Sequence, residues 1–447
     1  MITSPAFAGK RYAVLGLARS GLATVDALLA SGADVTAWDG KDEARAKADP
    51  RVTLADPLEI DLTGFAGVVV SPVVPLNKHP IVAHARKFDV PVIGDIELFA
   101  QARASLPPHK VVGITGTNGK STTTALIKHI IETAGVPTLM GGNIGLPILS
   151  RDPLPEGGVY VLELSSYQID LTFSLDCDVA VLTNITPDHL DRYDGFAGYV
   201  ASKKRLFTLQ SDQHIAVIVG EDEPTRAIYA HLSKARWGNV WRMDATAVRD
   251  RYDLWDAFDE KKRYSTVEQW PALQGPHNEE NAVAAIMAGR ALGIDDSILA
   301  KGLETYPGLP HRMERITEID GVLYVNDSKA TNATATAPAL AAYPKIHWIL
   351  GGLPKTDDLD DCAPQFGHVV AAYTIGDAGP MYARILKDAG KPVTESKTLA
   401  QAVKDAAAAA KPGEVVLLSP ACASFDQFTD YEARGAAFRS AVEGLGL

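Results

Sequence analysis

Short runs of apolar and β-branched residues recur along the chain. Between them lie longer stretches whose apolar residues fall three and four positions apart. This alternation predicts strands interleaved with helices, the pattern of α/β layers with mainly parallel sheets. The first unit is YAVLG, a turn, the helical SGLATVDALLASG and a second strand, VTAWD, ending at Asp39. KVVGI predicts a strand from Lys110. STTTALIKHIIETAGVP, apolar at 126, 127, 130, 131 and 134, predicts a helix closed by Gly135 and Pro137. VYVLELSS and VAVLTN read as strands and FAGYVASKKRLF as a helix. LAQAVKDAAAAAKPG reads as a helix stopped by Pro412-Gly413 before the strand VVLLS. The pattern breaks at GDIELFAQARASLPPHK and again at TYPGLPHR. With 447 residues, the breaks predict three domains, 1–97, 98–308 and 309–447.

Composition narrows the class. At 46% hydrophobic and 22% charged, the chain has apolar material for several cores. No apolar run reaches the ~18 residues of a membrane span, and the N-terminus lacks the pattern of a secretory signal. Cys177, Cys362 and Cys422 are far apart and form no C-x-x-C pair, so a reducing, cytoplasmic setting is expected. The net charge of −12 makes the surface a poor platform for nucleic acid. Anionic small ligands remain open, because loops and helix ends are locally positive even on an acidic protein.

Several stretches carry candidate chemistry. The first turn reads Gly16-x-Ala18-x-x-Gly21, a dinucleotide fingerprint without its middle glycine. Either some nucleotide binds there or the turn is a structural βαβ connection. GITGTNGKST, residues 113–122, lies between a strand and a helix N-terminus, where backbone N–H groups and the helix dipole bind phosphate. The strict phosphate-loop pattern wants glycine at 114, which is isoleucine, but Gly113, Gly116 and Gly119 still permit sharp turns. Lys120 would neutralise phosphate oxygens and Ser121 could hold Mg²⁺. Glu163 ends one apolar strand, and Asp188-His189 follow another; metal-binding and structural roles are both open for them. In FAGYVASKKRLF, Phe196, Tyr199, Val200, Leu206 and Phe207 share one helical face. Lys203 falls in its middle, with Lys204 to one side and Arg205 pointing outward. Such a lysine either snorkels past the rings or has a function.

Together, GITGTNGKST, LELSSYQ, TNITPDHLDRY, GPHNEENAVAA, GLPHRME, NDSKATN and SPACASFDQF resemble the motifs of the Mur ligases, from about residue 12 to the C-terminus. NDSKATN and SPACASFDQF are most similar to the D-glutamate-adding branch. The resemblance implies an α/β fold of three domains: a Rossmann-like UDP-binding domain, a central P-loop ATPase-like domain and a C-terminal Rossmann-like domain. It implies ATP-driven amide formation in peptidoglycan precursor synthesis. UDP-N-acetylmuramoyl-L-alanine and D-glutamate would be substrates, with an acyl phosphate between them. It also implies two Mg²⁺ ions and a CO₂-derived carbamate on Lys203.

By the same resemblance, Gly116, Thr117, Asn118, Gly119, Lys120, Ser121 and Thr122 would cradle ATP phosphates. Asn278 and Asn281 would lie on the adenine side, with Arg312 and Asp327 as phosphate and ribose contacts. Ser121, Glu163, His189 and Lys203 would serve the metal ions, with Lys120 beside them in the catalytic set. Gly16, Leu17, Arg19, Ser20, Asp39, Ser71, Asn143 and His189 would face the UDP substrate. Thr331, Lys355, Ser424, Phe425 and Tyr431 would face D-glutamate, Lys355 pairing the distal carboxylate. The chain departs from the family pattern at three places: Ala18-Arg19, Val73 after Ser71-Pro72, and Tyr431 where phenylalanine is expected. A monomer that closes its domains on substrate is expected.

Alternatives divide on particular residues. A ligase adding L-alanine or a diamino acid, or a folylpolyglutamate synthase, would share the loop; no D-N-P-[AR]-R box of the diamino-acid type occurs near 390–420. A P-loop nucleotide switch has no need of Lys203 or Lys355. Ala18 argues against a nicotinamide oxidoreductase.

Overall fold

The computed structural model describes residues 1–236, 238–242, 270–273 and 276–446. These residues fall into two compact units. One holds the residues up to 242 together with Glu280–Gly302, and the other includes everything from Leu303 onward.

The first unit contains two parallel sheets. The N-terminal sheet has strands β1 (Arg11–Leu15), β2 (Asp34–Trp38), β3 (Thr53–Leu54), β4 (Phe65–Val70) and β5 (Val92–Ile93), in the order β3-β2-β1-β4-β5. Alternation within β1 explains its burial on both faces. Tyr12 and Val14 join one core cluster, Ala13 and Leu15 another. The second sheet has β6 (His109–Thr115), β7 (Thr138–Gly142), β8 (Gly158–Glu163), β9 (Val179–Leu182), β10 (Ile215–Ile218) and β11 (Val240–Arg242), ordered β11-β10-β9-β6-β8-β7. Strand β6 is thus central, with β9 and β8 on either side, and Ile114 registers with Glu163 and Val181. Open parallel sheets bind ligands outside the carboxyl ends of such strands.

The second unit carries a mixed sheet: β12 (Glu314–Ile319), β13 (Val322–Asn326), β14 (Ile346–Gly351), β15 (Val369–Ile375), β16 (Val393–Lys397) and β17 (Val415–Leu418), ordered β12-β13-β17-β14-β15-β16. Only β12 is antiparallel to its neighbour. Trp348, Leu350 and Leu417 face one core, and Ile349, Val416 and Leu418 face the other. The alanine-rich stretch forms the helix Leu399–Ala409 before β17, as its pattern predicts. The helix Asp95–Ala102 runs through residue 97, so that sequence break coincides with continuous helix. The break near 309 falls between the helix Asp296–Thr305 and β12.

Candidate active site

The loop after β6 owes its shape to its glycines. Ile114 is a fully buried strand residue, so the position that departs from the strict loop pattern lies inside the sheet. The turn itself is made at Gly116 (φ +149°) and Gly119 (φ +82°). A Cβ at Gly116 would run into Thr183 Oγ1, and one at Gly119 into Asn281 Oδ1. The helix Lys120–Thr133 begins directly after. The end of β9 holds the loop in place. Thr117 N–H donates to Asn184 O (2.8 Å), Asn118 N–H donates to Asn184 Oδ1 (2.9 Å), and Thr183 Oγ1 donates to Asn118 O (2.7 Å). Lys120 Nζ donates to Gly116 O (2.9 Å) and Thr117 O (2.8 Å). Asn281 lies buried on the helix Pro276–Ala291, which also carries Asn278, and accepts from Thr123 Oγ1 (3.0 Å). Ser121 is buried at the start of its helix and Thr122 half-buried beside it.

Lys203 is 1% exposed, which decides against snorkelling. It lies on the helix Gly195–Thr208. Its Nζ donates to Gly116 O at 2.6 Å and sits 4.5 Å from the Tyr199 ring centroid. Burying an ammonium costs several kcal/mol, on the order of 5, unless it is well paired. Burial, with the nearby Lys120 charge, drives the Lys203 pKa well below its ordinary value; Asp188, Asp170 and Glu163 oppose this. A buried amine biased toward its neutral form is a nucleophile.

Glu163, 2% exposed at the end of β8, has one carboxylate oxygen bonded and one orphaned. Oε1 accepts from Asn143 Nδ2 (2.9 Å), while Oε2 is buried with no hydrogen-bond partner among the described residues. An orphaned buried carboxylate oxygen beside this glycine-rich loop suits a divalent cation. Among the described residues no three His, Cys, Asp or Glu side chains form a ready-made cage. Mg²⁺ needs none, because it completes its shell with phosphate oxygens and water. His189 adopts a left-handed backbone (φ +53°) and leaves its side chain half exposed, with Nε2 3.5 Å from Asp188 Oδ2. Its ring tilts against Tyr167 at 5.1 Å.

Arg205 corrects the expectation that it points outward. It is half-buried, its guanidinium lies over Phe173 at 4.7 Å, and Nη2 donates to Thr172 O at 2.8 Å. Asn143, expected to face the UDP substrate, donates from Nδ2 to Glu163 Oε1 (2.9 Å) and from its backbone N–H to Glu163 O (2.8 Å).

In the N-terminal sheet the Gly16 turn is closed by Asp39. The carboxylate accepts from Leu17 N–H (2.8 Å) and Lys41 N–H (2.9 Å). Burial opposes ionisation of Asp39, but those two hydrogen bonds, with Lys41 and Arg45 nearby, outweigh it and lower its pKa. Ser20 lies on the helix Arg19–Ala30, and Ser71 follows β4 with its N–H on Leu15 O (3.0 Å). Arg19 Nη2 donates to Gly145 O at 2.6 Å. One residue the sequence reading passed over is Arg192. Its guanidinium stacks on Tyr167 at 4.0 Å and donates to Pro72 O (3.2 Å), Val73 O (3.1 Å) and Val74 O (2.9 Å). It therefore ties the segment after Ser71 to the segment carrying His189.

In the second unit the expected acceptor residues follow strand ends. Lys355, exposed after β14, donates from Nζ to Thr331 Oγ1 at 3.2 Å. Ser424 is buried after β17 and Phe425 is 69% exposed. Tyr431 opens the helix Tyr431–Glu443, with Lys329 Nζ 3.8 Å from its ring centroid. Asp327 is buried after β13, accepting from Ser419 Oγ (2.7 Å) and Met313 N–H (3.2 Å). Burial raises its pKa to about 7 against those bonds and Arg312.

Two family models match the chain, the Mur ligase middle domain over residues 114–289 and the Mur ligase glutamate ligase domain over residues 311–422. A curated relative from Novosphingobium aromaticivorans is 63% identical over all of this chain and 97% of its own length. The chain belongs to the Mur ligase family. The Novosphingobium protein is named UDP-N-acetylmuramoylalanine--D-glutamate ligase. So is one from Zymomonas mobilis, 57% identical over the full length of both chains. Solved structures of this family share the fold at low identity. A UDP-N-acetylmuramate-alanine ligase from Thermotoga maritima has a TM-score of 0.57 at 17% identity, covering 98% of this chain and 99% of its own. MurF from Acinetobacter baumannii has 0.58 at 19%, covering 98% and 92%. These Mur ligases thus set the α/β architecture, while the two high-identity relatives bear on the substrate.

Proposed function

We propose that the chain joins D-glutamate to UDP-N-acetylmuramoyl-L-alanine at the expense of ATP. This reading rests on relatives of that name at 57–63% identity over the whole chain. The observation that carries the chemistry is the buried Lys203 amine on Gly116 O, on the same loop that Lys120 closes. A phosphate loop serves many reactions, but this lysine suits one in which anions must be held together.

The substrate carboxylate attacks the γ-phosphorus of ATP, and ADP leaves. The acyl phosphate carbonyl then accepts the D-glutamate amine, and the tetrahedral intermediate expels phosphate as the amide forms. Two repelling anions must meet in the first step, so positive charge and oriented dipoles lower its barrier. The 116–122 backbone and Lys120 would receive the phosphates. Asn281 would take the adenine side together with Asn278. Ser121, Glu163 and His189 would hold Mg²⁺, which when bound screens the phosphoryl charge. The orphaned Glu163 Oε2 supports that assignment.

Lys203 would react as the neutral amine with CO₂: Nζ bonds the carbon and releases one proton, leaving an anionic carbamate that adds oxygen donors for the metal ions. The Gly16 turn, Asp39 and Ser71 would receive the UDP end, while Thr331, Lys355, Ser424, Phe425 and Tyr431 would receive D-glutamate. Arg312 and Asp327 would complete the nucleotide contacts. The three-domain division at 97 and 308, the monomeric state and a cytoplasmic setting belong to the same reading. The free, buried state of Cys177, Cys362 and Cys422 is compatible with that setting.

An amino-acid panel tests the substrate. With ATP and UDP-N-acetylmuramoyl-L-alanine, D-glutamate should support phosphate release and yield the product mass. Release supported by L-alanine or a diamino acid but not by D-glutamate would overturn the assignment.

A further inference from the structure

Among the described residues, Arg434 is the largest buried cation of the second unit that no expected role absorbs. It sits one turn into the helix Tyr431–Glu443 and is 1% exposed. Its guanidinium meets no carboxylate among the described ion pairs; its acceptors are loop oxygens. Nε donates to Ser328 Oγ (3.0 Å), Nη2 to Ser328 O (2.8 Å) and Cys422 O (3.1 Å), and Nη1 to Ala423 O (3.2 Å).

These acceptors belong to neighbouring strand ends. Ser328 follows β13, and Cys422 and Ala423 follow β17. Ala423 also pairs with Leu353, which follows β14: Leu353 N–H donates to Ala423 O (2.9 Å) and Ala423 N–H to Leu353 O (3.0 Å). Strands β13, β17 and β14 are consecutive in the sheet. Within a few residues of these contacts stand Thr331, Ser424 and Lys355. Ser328 Oγ closes the arrangement by donating to Tyr431 O (2.9 Å).

We infer that Arg434 is a positioning residue of the acceptor amino-acid site, its planar fork binding the loops after β13 and β17 directly and the loop after β14 through Ala423. A planar guanidinium offers five donors in fixed directions, which a lysine ammonium cannot match. Burial pulls its pKa down to about 10, so it stays charged at neutral pH. A charged group hidden from the ligand but bonded to the loops around it serves arrangement rather than contact. The inference rests on the assignment of Thr331, Lys355 and Ser424 to D-glutamate.

The test compares the full-length Arg434→Lys, Arg434→Ala and Lys355→Met enzymes by initial rates, with D-glutamate and ATP varied separately. Both Arg434 variants should raise KM for D-glutamate at least tenfold and leave KM for ATP within about threefold. Added methylguanidinium should recover part of the loss in Arg434→Ala and none in Lys355→Met. An unchanged KM for D-glutamate in folded Arg434 variants, with Lys355→Met impaired, overturns this inference alone. An unchanged KM in Lys355→Met removes the site assignment beneath it. Failure of both Arg434 variants to fold also overturns the inference, since the residue would then hold the unit together rather than shape its site.

Discussion

Replacing Gly119 by alanine puts two structural costs on one atom. The residue sits at φ +82°, and its Cβ would occupy the space of Asn281 Oδ1. Asn281 is 3% exposed and bonded to Thr123 Oγ1, so it cannot step aside freely. Left-handed backbone costs an L-residue roughly 1–2 kcal/mol. Loss of the Thr123–Asn281 bond adds about 1 kcal/mol. A free loop escapes both by moving, and ATP binding must then restore the strained shape. The sum of about 2–3 kcal/mol corresponds to a KM for ATP raised roughly 30- to 150-fold. Gly135→Ala is the control: φ is +75°, but nothing among the described residues lies within 4 Å of the added Cβ, so stability should fall while KM for ATP stays put. Initial rates over an ATP titration, alongside thermal melts of both variants, give the comparison. Gly119→Ala with KM within twofold of the parent, or Gly135→Ala with an equal rise, would refute the argument from shape.

Three further outcomes follow from the same geometry. Lys203→Ala should lower kcat at least ~100-fold, the scale of one lost electrostatic group at a reacting centre, while the melting temperature holds or rises because a buried amine is gone; the check is turnover with and without bicarbonate. Arg192→Ala removes three backbone contacts after Ser71 and should raise KM for the UDP substrate about tenfold, equivalent to ~1.4 kcal/mol, with KM for ATP unmoved, measured by separate titrations. Asp327 has a folded pKa raised to about 7, so its stabilising contribution is full below the unfolded value near 3.8 and is lost as pH rises through 7. The loss is at most about 4 kcal/mol, and Asp327→Asn should flatten the fall in melting temperature between pH 5 and 8.

The periodic parts of the fold were legible because each depends on near neighbours in the chain. Helical arithmetic put Lys203 on an apolar face, and it is buried there. The strand reading of Ile114 accounted for the missing loop glycine. What stayed hidden depends on partners far along the chain. Nothing local marks Thr183 and Asn184 as supports of a loop some 65 residues earlier. Arg192 and Arg434 look like ordinary surface charges in their own segments, and only the fold shows which carbonyls they meet. Arg205 misled for a related reason: its helical angle points away from the core, but Phe173 from another segment lies there. The bond from the Asn143 amide to Glu163 likewise joins two separate segments. Motifs thus pointed to candidate residues, and tertiary contacts determined how their loops are held.

The central claim is that a substrate carboxylate is phosphorylated before the amide forms, and isotope transfer tests it directly. UDP-N-acetylmuramoyl-L-alanine labelled with ¹⁸O in its alanyl carboxylate is turned over with ATP and D-glutamate, and the released phosphate is weighed by mass spectrometry. Attack of that carboxylate on the γ-phosphorus places one ¹⁸O in each phosphate formed, alongside the mass of the D-glutamyl product. Unlabelled phosphate accompanying product would contradict the acyl-phosphate route, and phosphate without product would contradict the ligase reading itself.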